Sequence, residues 1–192
     1  MVGKSLNTRQ KILHLGEQLL KGKGLNAFSY SDISSALGVK NAAIHYHFHG
    51  KQDLLLAIIE ENITRFDEII KKTGDKQVDV WDKLQAFLDI YISNIENNHQ
   101  ICLFGSLASD FLTIGAAEQV NLKSFAEKIL EWLGGALAEG KALGKFKFEG
   151  DPRTRAVTVC ATLAGGLQLA RITGKQDFYE LVEQVKADLN AK

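Results

Sequence analysis

Three histidines at alternate positions are the residues whose chemistry stands out first in this sequence. His45, His47 and His49 lie in the segment "IHYHFHGK", residues 44–51, with a tyrosine and a phenylalanine between them. Imidazole rings can ligate a metal ion, transfer protons in catalysis, or bond to a nucleic acid. Which of these applies depends on the element that presents the three rings.

A helix in this segment would send neighbouring histidines in different directions. Residues two apart on a helix point to nearly opposite sides, whereas residues three or four apart share a face. His45 and His47 would diverge, and His49 would lie past the helix end. Cysteine and carboxylate ligands are missing nearby, and no serine or cysteine with an orienting acid stands beside these rings. The sequence therefore predicts no metal site, no cofactor and no catalytic residues, and disfavours an enzyme.

The outward face of such a helix would suit the reading of DNA. It would carry an amide at Asn41, a small side chain at Ala42, and donors at His45 and Tyr46. An amide can pair with a base edge, and the donors can reach bases or phosphates. These residues alone leave open a solvated face on a structural three-helix unit. The inward face is expected to comprise Val39, Ala43, Ile44, His47 and Phe48.

The net charge of zero hides an uneven distribution along the chain. Residues 1–51 contain seven Lys or Arg and two acidic residues, a net charge of +5, together with four of the five histidines. The remaining residues contain 16 basic and 21 acidic side chains, a net charge of −5. A small basic head on a larger acidic body favours binding of a polyanion by the head.

Apolar residues follow a spacing of three and four along the whole chain, which contains a single proline. This pattern predicts an all-α fold of about nine helices. Thr8 is predicted to cap the first helix, Ser29 with Asp32 to form a capping box for the second, and Gly38 to supply the turn after it. Further helices are predicted at 40–47, 51–72, 78–97, 101–112, 117–140, 152–173 and 177–189.

The stretch "FSYSDISSALGVKNAAIHYHFHGKQDLL", residues 28–55, resembles the helix-turn-helix signature of the tetracycline-repressor (TetR) family. The shared features are a Phe-Ser start, a Gly-Val turn, a His-Phe run and a lysine that opens the fourth helix. The resemblance implies an N-terminal three-helix helix-turn-helix domain, residues 1–50, and a larger helical effector-binding and dimerisation domain, residues 51–192. Helix 51–72 would connect them and end at "KTGDK", residues 72–76.

The resemblance also implies which residues meet DNA. Residues 40–46 would lie in the major groove. Phosphates would be touched by Tyr46, by Lys51 and by the start of the second helix, residues 29–31. His45 stands where the family usually has tyrosine, and its protonation in mildly acidic solution would strengthen a phosphate contact. The residues predicted to bind DNA are Ser29, Ser31, Lys40, Asn41, Ala42, His45, Tyr46 and Lys51.

The body is expected to hold an effector cavity and a dimer seam, as the resemblance implies. Aromatic and small residues with few polar groups suit a small, largely apolar ligand. The predicted cavity residues are Phe87, Tyr91, Cys102, Phe104, Phe111, Phe125, Trp132 and Gln168. The last two helices form the predicted homodimer interface, with Ala161, Gly165, Leu169, Phe178, Leu181 and Val185.

The function implied is a ligand-responsive transcription regulator that represses from a palindromic double-stranded DNA operator until a small-molecule effector releases it. Two alternatives stay open, a ligand-activated regulator and a helical protein-interaction module that does not bind DNA. The N-terminus lacks the apolar stretch of a secretory signal, and the charge-free run 156–170 is shorter than a bilayer span. We therefore expect a cytoplasmic protein without a membrane segment.

Overall fold

Nine α-helices and one short 3₁₀ turn, at Leu25–Ala27, make up the part of the chain described by the computed structural model, residues 6–75 and 77–190. No strand is present in those residues, so the all-α prediction is confirmed. The helices are α1 Thr8–Lys23, α2 Tyr30–Leu37, α3 Asn41–His47, α4 Lys51–Thr73, α5 Val80–Glu96, α6 Leu103–Leu107, α7 Ala116–Ala142, α8 Pro152–Thr173 and α9 Lys175–Asp188.

Local signals set the helix ends of the basic head. Asn7 caps α1, because its side chain accepts a hydrogen bond from the Gln10 amide at 2.9 Å and the Gln10 side chain accepts one from the Asn7 amide at 3.0 Å. The prediction of Thr8 as cap is wrong by one residue, since Asn7 also has a capping side chain and Gln10 completes its box. The capping box of Ser29 with Asp32 is confirmed, as is the left-handed turn at Gly38, with φ of 65°.

The body helices begin and end near their predicted bounds, with one exception. The helix expected over 101–112 ends at Leu107. The carbonyl of Asp110 accepts bonds from the amides of Thr113 and Ile114, which closes the chain into turns. The apolar pair Phe111 and Leu112 extends a helical pattern that the backbone does not follow. The predicted boundary "KTGDK" includes Lys76, which lies outside the described residues.

Helices α7, α8 and α9 pack together, and α4 runs from the head along α7. Gly166 permits the close approach of α8 and α9, because a Cβ atom there would lie 2.4 Å from a methyl carbon of Leu181. Gly165, one residue earlier, faces open space. The two glycines therefore lie on different sides of α8, Gly166 against α9 and Gly165 exposed.

Helix α8 is long and apolar enough to cross a membrane by length and composition alone, although only 28% of its apolar window is buried in the protein. One side of it is covered by α5, α7 and α9. Its other side exposes apolar side chains, including Leu169 at 56% and Ile172 at 85%. The second side of α8 is therefore an apolar surface that the other described helices leave uncovered.

Candidate nucleic-acid interface and internal cavity

The helix-turn-helix unit places α3 on the surface by burying one side of it. Ile44 and Phe48 are buried, together with Ile33 from α2. The Arg9 guanidinium lies 5.1 Å from the centre of the Phe48 ring, which ties α1 to the end of α3. These contacts fix the rotation of α3 about its axis and hence the side chains that it presents.

The outward face of α3 consists of the four residues expected there. Asn41, Ala42, His45 and Tyr46 are exposed, and the Tyr46 side chain is 80% exposed. Ala43 and His47 are half-buried, and Ile44 and Phe48 are buried. The predicted facing of this helix is confirmed. Contact between its outward residues and DNA stays a prediction.

Two of the three clustered histidines are fixed by each other's backbone. Nδ1 of His45 lies 3.2 Å from the His49 carbonyl oxygen, and Nδ1 of His49 lies 3.1 Å from the His45 carbonyl oxygen. Because carbonyl oxygens only accept, each Nδ1 must carry the hydrogen. Each ring then has Nε2 left for an outside partner. Within residues 6–75 and 77–190, no three His, Cys, Asp or Glu side chains come together as metal ligands.

The start of α2 is tied to the turn before α4 by two side chains. The Tyr30 hydroxyl donates to the Gly50 carbonyl at 2.5 Å, and burial raises the pKa of Tyr30 to about 12. The Lys51 ammonium donates to the Phe28 carbonyl and lies 4.2 Å from the centre of the Phe28 ring. Desolvation lowers the pKa of Lys51. Lys51, predicted to reach a phosphate, therefore has an internal partner in this structure.

The other residues predicted to touch DNA are on the surface. Ser29, Ser31 and Lys40 are exposed, and Lys40 is the residue that precedes α3. The Ser29 hydroxyl donates to the Asp32 carboxylate at 2.7 Å, and this bond together with the Ser29 amide bond lowers the pKa of Asp32. Ser29 is thus engaged in capping α2, while Lys40 presents a cation at the edge of the α3 face.

A cavity of about 210 Å³ lies in the body between α1, α4, α5, α6 and α7. A shallower groove of about 280 Å³ adjoins it and shares four wall residues, among them Tyr91 and Cys102, before reaching α8 at Val157, Cys160 and Ala161. Five of the eight predicted residues line the cavity, namely Phe87, Tyr91, Cys102, Phe104 and Phe125.

The other three predicted cavity residues lie elsewhere. Phe111 lines a separate groove on the surface. Trp132 packs behind the wall, with its ring 5.5 Å from that of Phe66 and 6.2 Å from that of Phe87. Gln168 is exposed on α8. Aromatic character alone does not distinguish a cavity wall from the core layer behind it, since both are apolar.

Two cysteines lie beside this cavity as neutral thiols. Burial raises the pKa of Cys102, and burial with the neighbouring Cys102 raises the pKa of Cys160 to about 12. The reactive form of cysteine is the thiolate, which these surroundings disfavour. Cys102 also accepts a hydrogen bond from the Gly105 amide at 3.3 Å, as the cap of α6. Both cysteines therefore behave as apolar parts of the wall.

One end of the cavity is polar and was not found from the sequence. Lys21, Asn62 and Arg65 contribute to its wall. Behind them Glu17, which is 7% exposed, bonds Lys21 at 2.7 Å and Arg65 at 2.5 Å. Desolvation acts to raise the pKa of Glu17, but the two cations outweigh it and the pKa is lowered. The spacing of Glu17 and Lys21, four apart on α1, was the available signal.

The predicted dimer residues divide into an exposed set and a buried set. Ala161, Gly165 and Leu169 are exposed on the uncovered side of α8. Phe178 and Val185 are 1% and 5% exposed and pack inside the protomer, and Leu181 is half-buried against Gly166. The prediction that Phe178 and Val185 face a partner is wrong, because a helical apolar stripe is the same whether it meets its own core or another chain.

Comparison with known proteins agrees with this architecture. The family model for "Bacterial regulatory proteins, tetR family" matches residues 12–58. The crystal structure of a TetR transcriptional regulator from Legionella pneumophila is similar, with 30% sequence identity and a TM-score of 0.82 over 96% of this chain and 98% of that one. A TetR-family transcriptional regulator from Agrobacterium tumefaciens has 26% identity and a TM-score of 0.85 over 95% and 97% of the two chains.

A curated relative matches a shorter part of the chain. The biofilm operon negative transcriptional regulator IcaR of Staphylococcus epidermidis is 25% identical over 101 residues, which are 53% of this chain and 54% of IcaR. The match thus spans about half the length of each of the two proteins. The match to the Legionella pneumophila regulator covers nearly the whole length of both chains. The helix-turn-helix unit, α2 and α3, lies within the residues matched by the family model. The protein belongs to the TetR family and is a DNA-binding transcriptional regulator.

Proposed function

We propose that this regulator represses transcription as a homodimer on a palindromic operator and leaves it when a small effector fills the cavity. The observation that carries the proposal is the exposed face of α3 at one end of α4 and the cavity along the same helix. Residues 1–50 would be the reading domain, residues 51–192 the effector and dimer domain, and α4 the connection. Repression also fits the name of the relative IcaR, a negative regulator.

Two copies are needed because a single basic head has few phosphate contacts. Helix-turn-helix dimers place two reading helices about 34 Å apart, one turn of B-form DNA, so a palindrome matches their twofold axis. The uncovered side of α8 supplies a surface for the second copy, with small residues at Ala161 and Gly165 and larger apolar ones at Val157, Leu169 and Ile172. Such an apolar face is typical of an obligate interface.

The effector would act through linkage between the two domains. A ligand changes DNA affinity only if it binds better to one arrangement of the heads than to the other. Phe66 on α4 lies in the cavity wall, and its ring is 5.8 Å from that of Phe125 on α7. A ligand that separates these rings would move α4 and, with it, the reading head.

The test is selection of genomic fragments by the purified full-length protein, followed by fluorescence anisotropy on the recovered sequence. We expect a palindromic site bound by two protomers, and reporter expression that rises when the gene for the regulator is deleted. A fall in reporter expression on deletion would favour the ligand-activated alternative. Failure to enrich any duplex would favour the interaction-module alternative. The cytoplasm is the compartment in which such an operator would be met.

A further inference from the structure

The charged residues of the cavity wall have one sign. Among the described residues that line the cavity, Lys21 and Arg65 are the charged ones, and both are cations. The rest of the wall is neutral and mostly apolar or aromatic. Their acidic partner Glu17 does not line this cavity, but lies on the far side of the two cations, in a separate surface groove that Arg65 also reaches. The cavity therefore combines an apolar body with a cationic end.

The polar cluster behind this end carries one more positive than negative charge. The Lys21 ammonium, with 9% of its side chain exposed, meets Glu17 at 2.7 Å and the amide oxygen of Asn62 at 3.3 Å. The Asn62 amide nitrogen donates to Glu17 at 3.1 Å, and the Arg65 side chain is 46% exposed. A buried cation is stabilised when an anion completes its pairing. One further anion would balance this cluster.

We propose that the effector is a small amphipathic carboxylate, whose apolar body occupies the aromatic part of the cavity and whose carboxylate binds Lys21 and Arg65. This inference rests on the proposed function, because it assumes that the cavity is the effector site. A planar guanidinium suits a carboxylate, and the ammonium adds a second charge-assisted bond. A cavity of roughly 150 Å³ holds one benzene molecule. The volume of about 210 Å³ then leaves room for one ring, or a short alkyl chain, with its acid group.

The same cluster couples the effector to the reading head. Glu17 and Lys21 belong to α1, whereas Asn62 and Arg65 belong to α4. The Lys21 carbonyl accepts a bond from the Ile101 amide at 3.1 Å and another from the Arg171 guanidinium of α8 at 2.8 Å. A carboxylate that shares the two cations with Glu17 weakens the bonds of Glu17 to Lys21 and Arg65, and so loosens the link between α1 and α4. The end of α1 stays attached to the body, so the change falls on the head.

Isothermal titration of the full-length protein tests this inference with benzoate, 3-phenylpropionate and octanoate, each against its neutral amide. At least one carboxylate should bind about tenfold or more tightly than its amide, since only the charged form makes the ionic bonds. Arg65→Gln should remove most of that preference. Arg153→Gln is the matched control, because Arg153 is a half-exposed arginine paired with Glu127 at 2.7 Å outside the cavity wall. The control should bind like the parent.

A second variant separates ligand binding from folding. Glu17→Gln leaves both cations without their acid and should tighten carboxylate binding several-fold, with the amide unchanged. Thermal unfolding of each variant shows whether the fold persists, and Arg65→Lys should recover part of the preference if Arg65→Gln is unstable. A network with a purely structural role predicts lower stability in Glu17→Gln with no gain in carboxylate affinity.

The outcomes also separate this inference from the proposed function. If none of the three carboxylates binds, if an amide binds equally well, or if Arg65→Gln keeps the preference, the inference is overturned. Repression is tested separately by DNA selection with the ligand-free protein. A parent that binds its operator but no carboxylate refutes the inference alone, whereas a parent that enriches no duplex refutes the proposed function.

Discussion

The exposed face of α3 and the polar end of the cavity differ in how many helices build them. Asn41, His45 and Tyr46 come from one seven-residue helix, so its periodicity decides which side faces out. The cavity end joins α1 to α4, and the pair Glu17 and Arg65 is separated by 48 residues in sequence. A surface on one helix can thus be read from spacing, whereas a site between helices exists only after they pack.

The largest expected effect comes from disrupting the proposed dimer interface of the body. Leu169→Glu places a carboxylate on the uncovered apolar side of α8, where Leu169 is 56% exposed. If this side is the dimer seam, the buried charge disfavours association, and loss of the second head should weaken operator binding by about 100-fold or more. Sedimentation velocity and fluorescence anisotropy measure the two effects.

The control for this variant is Val120→Glu, on α7. Val120 is 64% exposed and is not on the α8 face, so the same kind of charge there should leave dimer and operator binding unchanged. A Leu169→Glu protein that remains a dimer with full operator affinity would show that α8 is not the seam.

The second-largest expected effect tests whether α3 contacts base pairs. Asn41→Ala should reduce discrimination at one base pair by about 1–3 kcal/mol while affinity for unrelated duplexes stays the same. Anisotropy titrations against an operator set with all four base pairs at each position give the preference. Gln184→Ala, which removes an exposed amide on α9, is the control. An unchanged preference at every position in Asn41→Ala would contradict base contact by this residue.

Lys40 and Lys51, at the two ends of the reading unit, should behave differently, although both are predicted to contact DNA. Lys40→Ala removes an exposed cation, and the slope of log affinity against log salt should flatten by about 0.9 without loss of stability. Lys51→Ala breaks the bond to Phe28 and should lower the free energy of unfolding by about 1 kcal/mol, with weaker binding to every duplex. Urea unfolding and salt titrations separate the two. A flattened salt slope with full stability in Lys51→Ala would restore its phosphate role.

What could be predicted from the sequence depends on the same difference between features of one helix and features formed between helices. Most helix bounds, the capping box at Ser29 and the facing of α3 were predictable, because each depends on residues within a few positions of one another. Phe178 and Val185 were predicted to lie in the dimer interface, because a helical apolar stripe is the same whether it packs in the core of its own protomer or against another chain. Lys21 and Arg65 were missed because charged residues on amphipathic helices usually face solvent. Only the packing of α1 against α4 brings them to the cavity wall.

The smallest expected effect concerns the imidazole of His45. Because Nδ1 bonds to the His49 carbonyl oxygen, Nε2 is the atom left to meet DNA. His45→Phe keeps a ring beside Tyr30 but has no ring nitrogen, so operator affinity should fall by about two- to fivefold at constant salt and pH. Fluorescence anisotropy measures this change, and His14→Phe on α1 should bind like the parent. Full operator affinity in His45→Phe would show that α3 reads DNA without help from this imidazole.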